Sequence, residues 1–256
     1  MASLYQTRLH AGERLAQGQA VALPKEQAHY LRSVLRLTPG AKVALFNGQD
    51  GEWLAEIADL GKSSAILTPI RQLRPQAEEP DLWLVFAPVK HARIDFLAEK
   101  ATELGVSALW PVFTQRTIVS RVNEDRMRAN AIEAAEQSER LTVPQVLPPA
   151  KLAAALSSWP ADRRLIVCDE TGKGPPVSQA LADNVYLRNA VLIGPEGGFT
   201  ETELDGLRKL PFVTPVSLGP RVLRADTAAL AALACFQAVA GDWQSGRPDF
   251  KADFNL

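Results

Sequence analysis

The sequence predicts an α/β protein in which a mostly parallel sheet, covered by helices, follows a smaller β-rich domain. From Asp81 onwards, short apolar segments alternate with helical patterns, which is typical of a parallel sheet. Two of these segments, RLIVCDE and AVLIG, are continuously apolar, as strands buried on both faces are. Residues 1–72 instead show short or alternating apolar runs bounded by turn residues, which indicates a small barrel or sandwich.

In the N-terminal domain, the runs VALFNG, WLAEIADL and SSAILTPI predict strands. Asn-Gly at 47–48 and Asp-Gly at 50–51 predict a tight connection between the first two. The segment PKEQAHYLRSVLRL predicts one helix, with Leu31, Val34 and Leu35 as its buried stripe. The segment RQLRPQAEEP then has two prolines and no periodicity, and we assign its residues 73–80 to a linker.

The second domain is placed at residues 81–256. Its helical patterns include RIDFLAEKATELG and NEDRMRANAIEAAEQSER, the latter with Asn123 as its N-cap. Thr200 and Glu203 have the spacing of a capping box, which predicts the start of another helix. A long alanine-rich helix is expected from about residue 225 to Gly241. It is apolar nearly all round, so both a domain core and a dimer interface explain it.

The distribution of charge along the chain indicates where a polyanion would bind. The net charge is −1, so no global basic field favours nucleic acid. Residues 1–76 carry nine Lys/Arg and six Asp/Glu, a net +3, whereas residues 77–256 carry 19 and 23, a net −4. Any contact with a polyanion is therefore expected to begin at the N-terminal end.

The sequence also predicts a cytoplasmic protein without a metal site. The segment MASLYQTRLHAGERL lacks the apolar core of a signal peptide, and AALAALACFQAVA is too short to cross a bilayer. Cys168 and Cys235 lie far apart in apolar surroundings, which predicts buried free thiols in a reducing compartment. The three histidines are scattered, so no zinc site is expected.

A glycine-rich segment, VLIGPEGGFTETEL, connects a predicted buried strand to the capped helix. Such a loop at the carboxyl edge of a parallel sheet is a usual ligand site, because glycine lets the backbone approach a ligand. The dinucleotide and P-loop signatures are both absent. A tight turn that packs the helix on the sheet is the plainer explanation of the same glycines.

A second glycine loop, SLGPRVLRADTAAL, also follows a strand and precedes a helix. Two such loops at one sheet edge can form a single pocket. Arg224 would sit at the positive end of the next helix, which is electrostatically awkward and favours a functional role. The alternative is a helix start at which Asp226 acts as an acidic cap.

Together these two loops resemble the paired C-terminal signature of the bacterial 16S rRNA (uracil-N3)-methyltransferases of the SPOUT superfamily. HYLRSVLRL, EKATELGV and EAAEQSERLTVPQV agree with that family in the expected order, and the resemblance covers nearly the whole chain. The chain departs from the family's pattern in two places. Asp226 stands where the family usually has Glu, and TQRT at 114–117 differs from the family's T-E-R-S.

The resemblance implies a PUA-like β-barrel at 1–72 and a SPOUT methyltransferase domain at 81–256, tied in a C-terminal trefoil knot. It also implies a homodimer that binds S-adenosylmethionine and 16S ribosomal RNA or the small ribosomal subunit. The residues that match the cofactor-binding stretches are Asp169, Glu170, Gly194, Pro195, Glu196, Gly197, Gly198, Leu218, Gly219, Arg221, Val222 and Leu223.

For the chemistry, N3 of a uracil must lose its proton when it attacks a methyl group, which leaves negative charge on the imide. An arginine aimed at the imide oxygens would stabilise that charge. Arg224 is the first candidate, and Arg140 is expected to reach in from the other subunit. Glu139, Glu196 and Asp226 are alternative proton acceptors, although a solvated helix end equally explains Glu139 and Arg140.

Docking of the RNA is expected on the N-terminal domain, where basic side chains would meet phosphates and aromatic rings would stack on bases. A merely solvated basic helix face is the alternative. Two alternative functions are considered for the whole protein. It could methylate another RNA position, such as a ribose 2′-hydroxyl, or it could be a non-catalytic RNA-binding assembly factor. The expected RNA-binding residues are Arg8, Lys25, His29, Tyr30, Arg32 and Arg36.

Overall fold

A computed structural model of the chain describes residues 4–89, 91–182 and 187–245. These residues form two compact units. Of the described residues, the first unit comprises those up to 78 together with 135–143, and the second comprises 79–134 and 144–245. Residues 246–256, the end of the expected second domain, lie outside the described residues.

The first unit is built on one five-stranded sheet in the order β1-β3-β4-β5-β2. Only β1 and β3 pair in parallel, and the remaining neighbours are antiparallel. Alternate strand residues point into one apolar core beneath the sheet. Its elements are β1 (Arg8–His10), β2 (Val21–Leu23), α1 (Lys25–His29), β3 (Lys42–Phe46), β4 (Glu52–Leu60) and β5 (Ala65–Arg74).

Residues 135–143 belong to this first unit, although the sequence-based boundaries placed them in the second domain. Phe46, Ala135 and Leu141 form a small buried cluster that holds the segment. The linker also begins later than expected. Because β5 continues to Arg74, the first two residues of the predicted 73–80 linker belong to a strand.

The helix of the first unit departs from the predicted pattern. After α1, residues Tyr30–Val34 form a π-helical turn in which Leu35 N donates to Tyr30 O at 3.0 Å. A π turn contains one more residue than an α turn. The predicted stripe is therefore wrong at Val34, which is 59% exposed, whereas Leu31 is fully buried and Leu35 packs on the core.

The second unit contains a parallel sheet in the order β12-β10-β11-β6-β7-β8, with β9 also paired to β7. The α/β class with a parallel sheet is thereby confirmed. In chain order the elements are β6 (Asp81–Phe86), α2 (His91–Glu103), β7 (Ala108–Phe113), α3 (Glu124–Gln137), β8 (Gln145–Val146), β9 (Ala150–Lys151), α4 (Leu152–Ser157), β10 (Arg163–Cys168), α5 (Val177–Ala182), β11 (Arg188–Ile193), α6 (Glu201–Arg208), β12 (Val213–Val216) and α7 (Ala225–Ala240).

Local sequence signals explain where several helices begin. Asn123 accepts a hydrogen bond from Arg126 N at 3.0 Å, as an N-cap does. Thr200 and Glu203 form the predicted capping box at the start of α6. In α7 one face is buried, including Leu233 and Phe236. No helix in the described part of the chain is long and apolar enough to cross a membrane.

Candidate active site

The two glycine loops leave the parallel sheet at the same edge. Strand β10 lies between β11 and β12, with Val167 paired to Leu192 and Cys168 paired to Val216. Neighbouring strands lie about 4.8 Å apart, so the two loops start roughly 10 Å from each other. The end of β10, at Asp169, lies between them.

Two glycines of the first loop make room for protein atoms. Gly198 has a φ of +68°, and a Cβ there would lie 2.4 Å from Glu170 Oε1. That oxygen accepts a hydrogen bond from Phe199 N at 2.7 Å. A Cβ at Gly194 would lie 2.9 Å from the ring of Phe199. Tight packing of the loop, the plainer explanation, therefore accounts for these two positions.

The remaining glycines leave the backbone open. A Cβ at Gly197 would make only ordinary contacts, at 3.6 Å, with the side chain of Arg116. Gly219 in the second loop has a φ of +102° and no atom near its would-be Cβ. Glu196 is exposed and Pro195 is buried. This combination offers exposed backbone groups on a loop whose base is packed and fixed.

Arg116 ties a third loop to this site. Its Nη1 donates to Gly197 O at 2.9 Å and to Phe199 O at 3.2 Å. The backbone N–H of Gln115 donates to Glu203 Oε1 at 2.8 Å, so the same loop also contacts α6. The sequence did not predict a role for Arg116. The TQRT segment that contains it differs from the family's pattern, and that difference alone does not indicate a function.

The carboxylate of Asp169 is committed to internal contacts. It accepts from Thr171 N at 2.8 Å and from Arg208 Nη2 at 2.5 Å. Burial pushes the pKa of Asp169 upwards, but the hydrogen bonds from Thr171 and Arg208 hold it below its ordinary value. Asp169 therefore serves as an ionised anchor for α6 at the foot of the site. Glu170 beside it is exposed apart from its bond to Phe199.

The second loop presents its side chains outwards. Arg221, Val222 and Arg224 are exposed, with Val222 at 93%, whereas Leu218 and Leu223 are half-buried. The loop is attached to the unit through Ser217, whose N–H donates to the carbonyl oxygen of Pro175 at 2.8 Å.

Arg224 is the N-cap residue of α7, and its carbonyl accepts from Ala228 N at 2.8 Å. Asp226 in the first turn pairs with Arg93 Nε at 3.7 Å and accepts from Thr227 N at 2.8 Å. Arg93 had no role in the sequence analysis. Arg224 is therefore an exposed cation at the positive end of α7. The nearby carboxylate of Asp226 already has a cationic partner in Arg93.

Glu139 and Arg140 lie in the first unit, just beyond the end of α3. Glu139 has a φ of +62°, in the left-handed region that non-glycine residues rarely adopt. Its carbonyl accepts from Arg74 Nη2 at 2.9 Å. The guanidinium of Arg140 donates to Thr142 Oγ1 at 3.0 Å. Both residues are half-buried.

Among the predicted RNA-binding residues, Arg8 is a wrong assignment. Its side chain is buried and paired with the equally buried Glu52, so it is not available to a phosphate. An ion pair with a residue 44 positions away leaves no local signal in the sequence. The other five residues lie on α1 and the π turn or just after them. Lys25, His29 and Arg36 are exposed, and Tyr30 and Arg32 are half-buried.

Comparison with known proteins agrees with this architecture. The chain is an RNA methyltransferase by class: the model of the RNA methyltransferase domain matches residues 77–237, and that of the RNA methyltransferase PUA domain matches residues 23–70. It is 33% identical over 231 residues to ribosomal RNA small subunit methyltransferase E of Rickettsia conorii, covering 89% of this chain and 93% of that protein. The Synechocystis protein of the same name is 34% identical over 224 residues, covering 86% and 73%. The chain therefore belongs to the family of ribosomal RNA small subunit methyltransferase E, and the family resemblance is confirmed.

Solved structures support the same assignment. The ribosomal RNA small subunit methyltransferase E of Neisseria gonorrhoeae, bound to S-adenosyl methionine, superposes with a TM-score of 0.82 at 33% identity. The match covers 93% of this chain and all of that one, 100%. A Legionella pneumophila protein in complex with the cofactor SAM has a TM-score of 0.78 at 29% identity, covering 92% and 98%.

Proposed function

We propose that this protein transfers a methyl group from S-adenosylmethionine to N3 of a uridine in 16S ribosomal RNA, near the decoding centre. The observation that carries the proposal is the pair of glycine loops at one edge of the parallel sheet, with exposed backbone at Gly197 and Gly219. The similar Neisseria protein was solved with S-adenosyl methionine bound.

The residues present fit this cofactor. Its adenosine part needs backbone donors and acceptors and an apolar contact, which the segments 194–198 and 218–223 offer. Glycine at 197 and 219 keeps side chains out of the way. Glu170, Arg221 and the half-buried Leu218 and Leu223 would complete the walls. Asp169 would contribute by fixing α6 and the loop after β10, because its carboxylate is already engaged.

When bound, S-adenosylmethionine supplies an electrophilic methyl group. The protein must hold the uracil and stabilise the negative charge that develops on its imide as N3 loses its proton. Arg224 is suited to this, because it is exposed at the start of α7 and presents fixed donors in a planar fork. Arg140, from the other subunit of the proposed homodimer, would add a second cation.

The proton acceptor is proposed among three carboxylates, those of Glu139, Glu196 and Asp226. Asp226 is less suitable than Glu196, because Arg93 and the N–H of Thr227 already bind its carboxylate. Glu196 is exposed on the first glycine loop, and Glu139 is half-buried beyond α3. Either would act as a general base with access to solvent for release of the proton.

We further propose that the RNA docks on the helix of the first unit, through Lys25, His29, Tyr30, Arg32 and Arg36. Three of these side chains are exposed and none of the five is buried, and π turns such as Tyr30–Val34 are frequent at functional sites.

The fold proposals that accompany this function are a PUA-like barrel that includes residues 135–143, a trefoil knot in the methyltransferase domain, and a homodimer. The half-exposed face of α7, with Leu230, Ala231 and Ala234, is the proposed dimer contact.

The test is methyl transfer by the purified full-length protein to small ribosomal subunits and to naked 16S rRNA, followed by mass spectrometry of the nucleosides. We expect 3-methyluridine. Loss of the guanidinium in Arg224→Ala should lower kcat by about 100-fold or more, as for removal of one donor to a developing anion, with little change in cofactor affinity. Lys209→Ala, an exposed cation in the same unit, serves as the matched control.

Other outcomes would replace the proposal. A methyl group on a ribose or on another base atom would indicate a different RNA specificity. Cofactor binding by calorimetry without any transfer would favour an RNA-binding assembly factor. Near-normal turnover in Arg224→Ala would remove the role given to that arginine.

A further inference from the structure

Three buried charged side chains in the first unit hold the segment that carries Glu139 and Arg140. The carboxylate of Glu52 on β4 accepts from Arg8 Nε and, at 2.6 Å, from Arg74 Nε. Arg8, Glu52 and Arg74 are each at least nine-tenths buried, at 6%, 4% and 9% exposure. They are drawn from three strands, β1, β4 and β5, of one sheet.

The outer donors of both arginines reach backbone carbonyls of the segment. Arg8 Nη1 donates to Ala135 O at 2.7 Å, and its Nη2 donates to Arg140 O. Arg74 Nη2 donates to Glu139 O at 2.9 Å. Three carbonyls within six residues are therefore bound by a cluster whose geometry is set by the sheet.

The charge of the cluster is complementary to that of the backbone groups that it binds. Two guanidiniums and one carboxylate leave a net positive charge inside the unit. That charge faces the C-terminal end of α3, where carbonyls lack intrahelical partners and carry the negative end of the helix dipole. Arg8 is also stacked over the Phe46 ring, with Cζ 3.7 Å from the ring centroid.

The segment includes a residue in a disfavoured backbone conformation. Glu139 has a φ of +62°, which costs about 1 kcal/mol or more for a non-glycine residue unless the surroundings enforce it. The cluster supplies that enforcement on both sides of the residue, through Ala135 O before it and through the carbonyls of Glu139 itself and of Arg140 after it.

We infer that Arg8, Glu52 and Arg74 are positioning residues: they fix the backbone of the Glu139–Arg140 segment so that its two side chains are held ready for the reaction. This inference rests on the proposed function, in which Glu139 and Arg140 act on the uracil. It assigns Arg8 a role inside the unit in place of the RNA contact expected from its charge.

The test is Arg74→Lys in the full-length protein. A lysine keeps the positive charge beside Glu52 but lacks the fork that reaches Glu139 O at the same time. We expect amide hydrogen exchange of residues 138–143 to rise at least about tenfold, since that local opening loses one of its anchoring hydrogen bonds. Turnover should fall by about 100-fold, because displacement of a reacting group by about 1 Å has that effect.

A fall in kcat without a change in binding would indicate that Arg74 positions the segment, whereas a general loss of stability would not affect kcat alone. S-adenosylmethionine affinity by calorimetry and KM for small ribosomal subunits should each stay within about threefold of the wild-type values, because neither glycine loop nor α1 is altered. Arg71→Lys, an exposed arginine on the same strand, is the matched control and should change neither exchange nor turnover.

Two results would overturn the inference: unchanged exchange at 138–143 in Arg74→Lys, or faster exchange with unchanged turnover per folded molecule. If Arg74→Lys melts below the assay temperature, Arg8→Lys takes its place, because it leaves the Arg74–Glu52 pair intact. A wild-type protein that transfers no methyl group would instead overturn the proposed function, and the exchange measurement would still decide whether the cluster anchors the segment.

Discussion

The carboxylate of Glu170 accepts a hydrogen bond from the backbone N–H of Phe199 at 2.7 Å, directly over the α-carbon of Gly198. One side chain thus joins the loop after β10 to the loop after β11, its neighbour in the sheet. Arg116 adds two bonds from the loop after β7. The candidate cofactor loop is therefore supported from two sides by side chains that reach its backbone.

Gly198→Ala should weaken cofactor binding. A Cβ would lie 2.4 Å from Glu170 Oε1, so the carboxylate must move and its bond to Phe199 is lost. A hydrogen bond to a charged group contributes about 1.5–3 kcal/mol, so the Kd for S-adenosylmethionine should rise about tenfold or more, measured by calorimetry. Gly172→Ala is the control, because its φ of +70° is nearly the same but its surroundings are open. Equal losses in the two variants would assign the effect to backbone strain alone.

Arg208→Gln should destabilise the protein in a pH-dependent way. Despite its burial, the carboxyl of Asp169 has a pKa held below its ordinary value by Thr171 and Arg208. A carboxyl with a lowered folded-state pKa stabilises the fold above the unfolded value, near pH 4, and loses that contribution as the pH falls through the folded value. Urea unfolding at pH 7, 4 and 3 should therefore show a difference from wild type that shrinks with acidity. Asp205→Asn, which changes an exposed partner of Arg208, is the control. A difference that stays constant across this range would contradict the assignment.

Substitutions at Glu139 should separate its backbone from its side chain. Glycine adopts the observed φ of +62° without a steric cost, so Glu139→Gly should unfold at a higher temperature than Glu139→Ala, which lacks the same carboxylate. Valine at the same position should lower the melting temperature. If Glu139 is the proton acceptor, Glu139→Gln and Glu139→Gly should lose turnover alike, by about 100-fold. Full activity in Glu139→Gln would leave Glu196 as the preferred base.

Cys168 should be inert in the folded protein. Burial, and to a smaller extent the neighbouring Cys235, raises the pKa of its thiol to about 12, so hardly any thiolate is present at pH 8. In a Cys235→Ser variant, Ellman's reagent should therefore react only after urea is added. Rapid labelling without urea would show that the end of β10 opens to solvent.

Much of the fold could be predicted from local patterns. Apolar runs at β10 and β11, the Asn123 cap, the Thr200–Glu203 capping box and the span of α7 all agree with the structure. The short helices α4 and α5 and the three-residue strands β1 and β2 were not assigned, because segments so short carry too little periodicity. The π turn at Tyr30–Val34 has no distinct sequence pattern, and Val34, its last residue, is exposed.

The α/β class, the two glycine loops and the family could all be predicted from the sequence, because these depend on residue order along the chain. The roles of individual charged residues could not be predicted in this way. Arg8 has a local context like that of a surface arginine, yet it is buried against partners 44 and 127 positions away. Gly198 is explained by Glu170, a residue from another strand end. Burial and pairing of a side chain depend on contacts between distant segments, and those contacts exist only once the chain has folded.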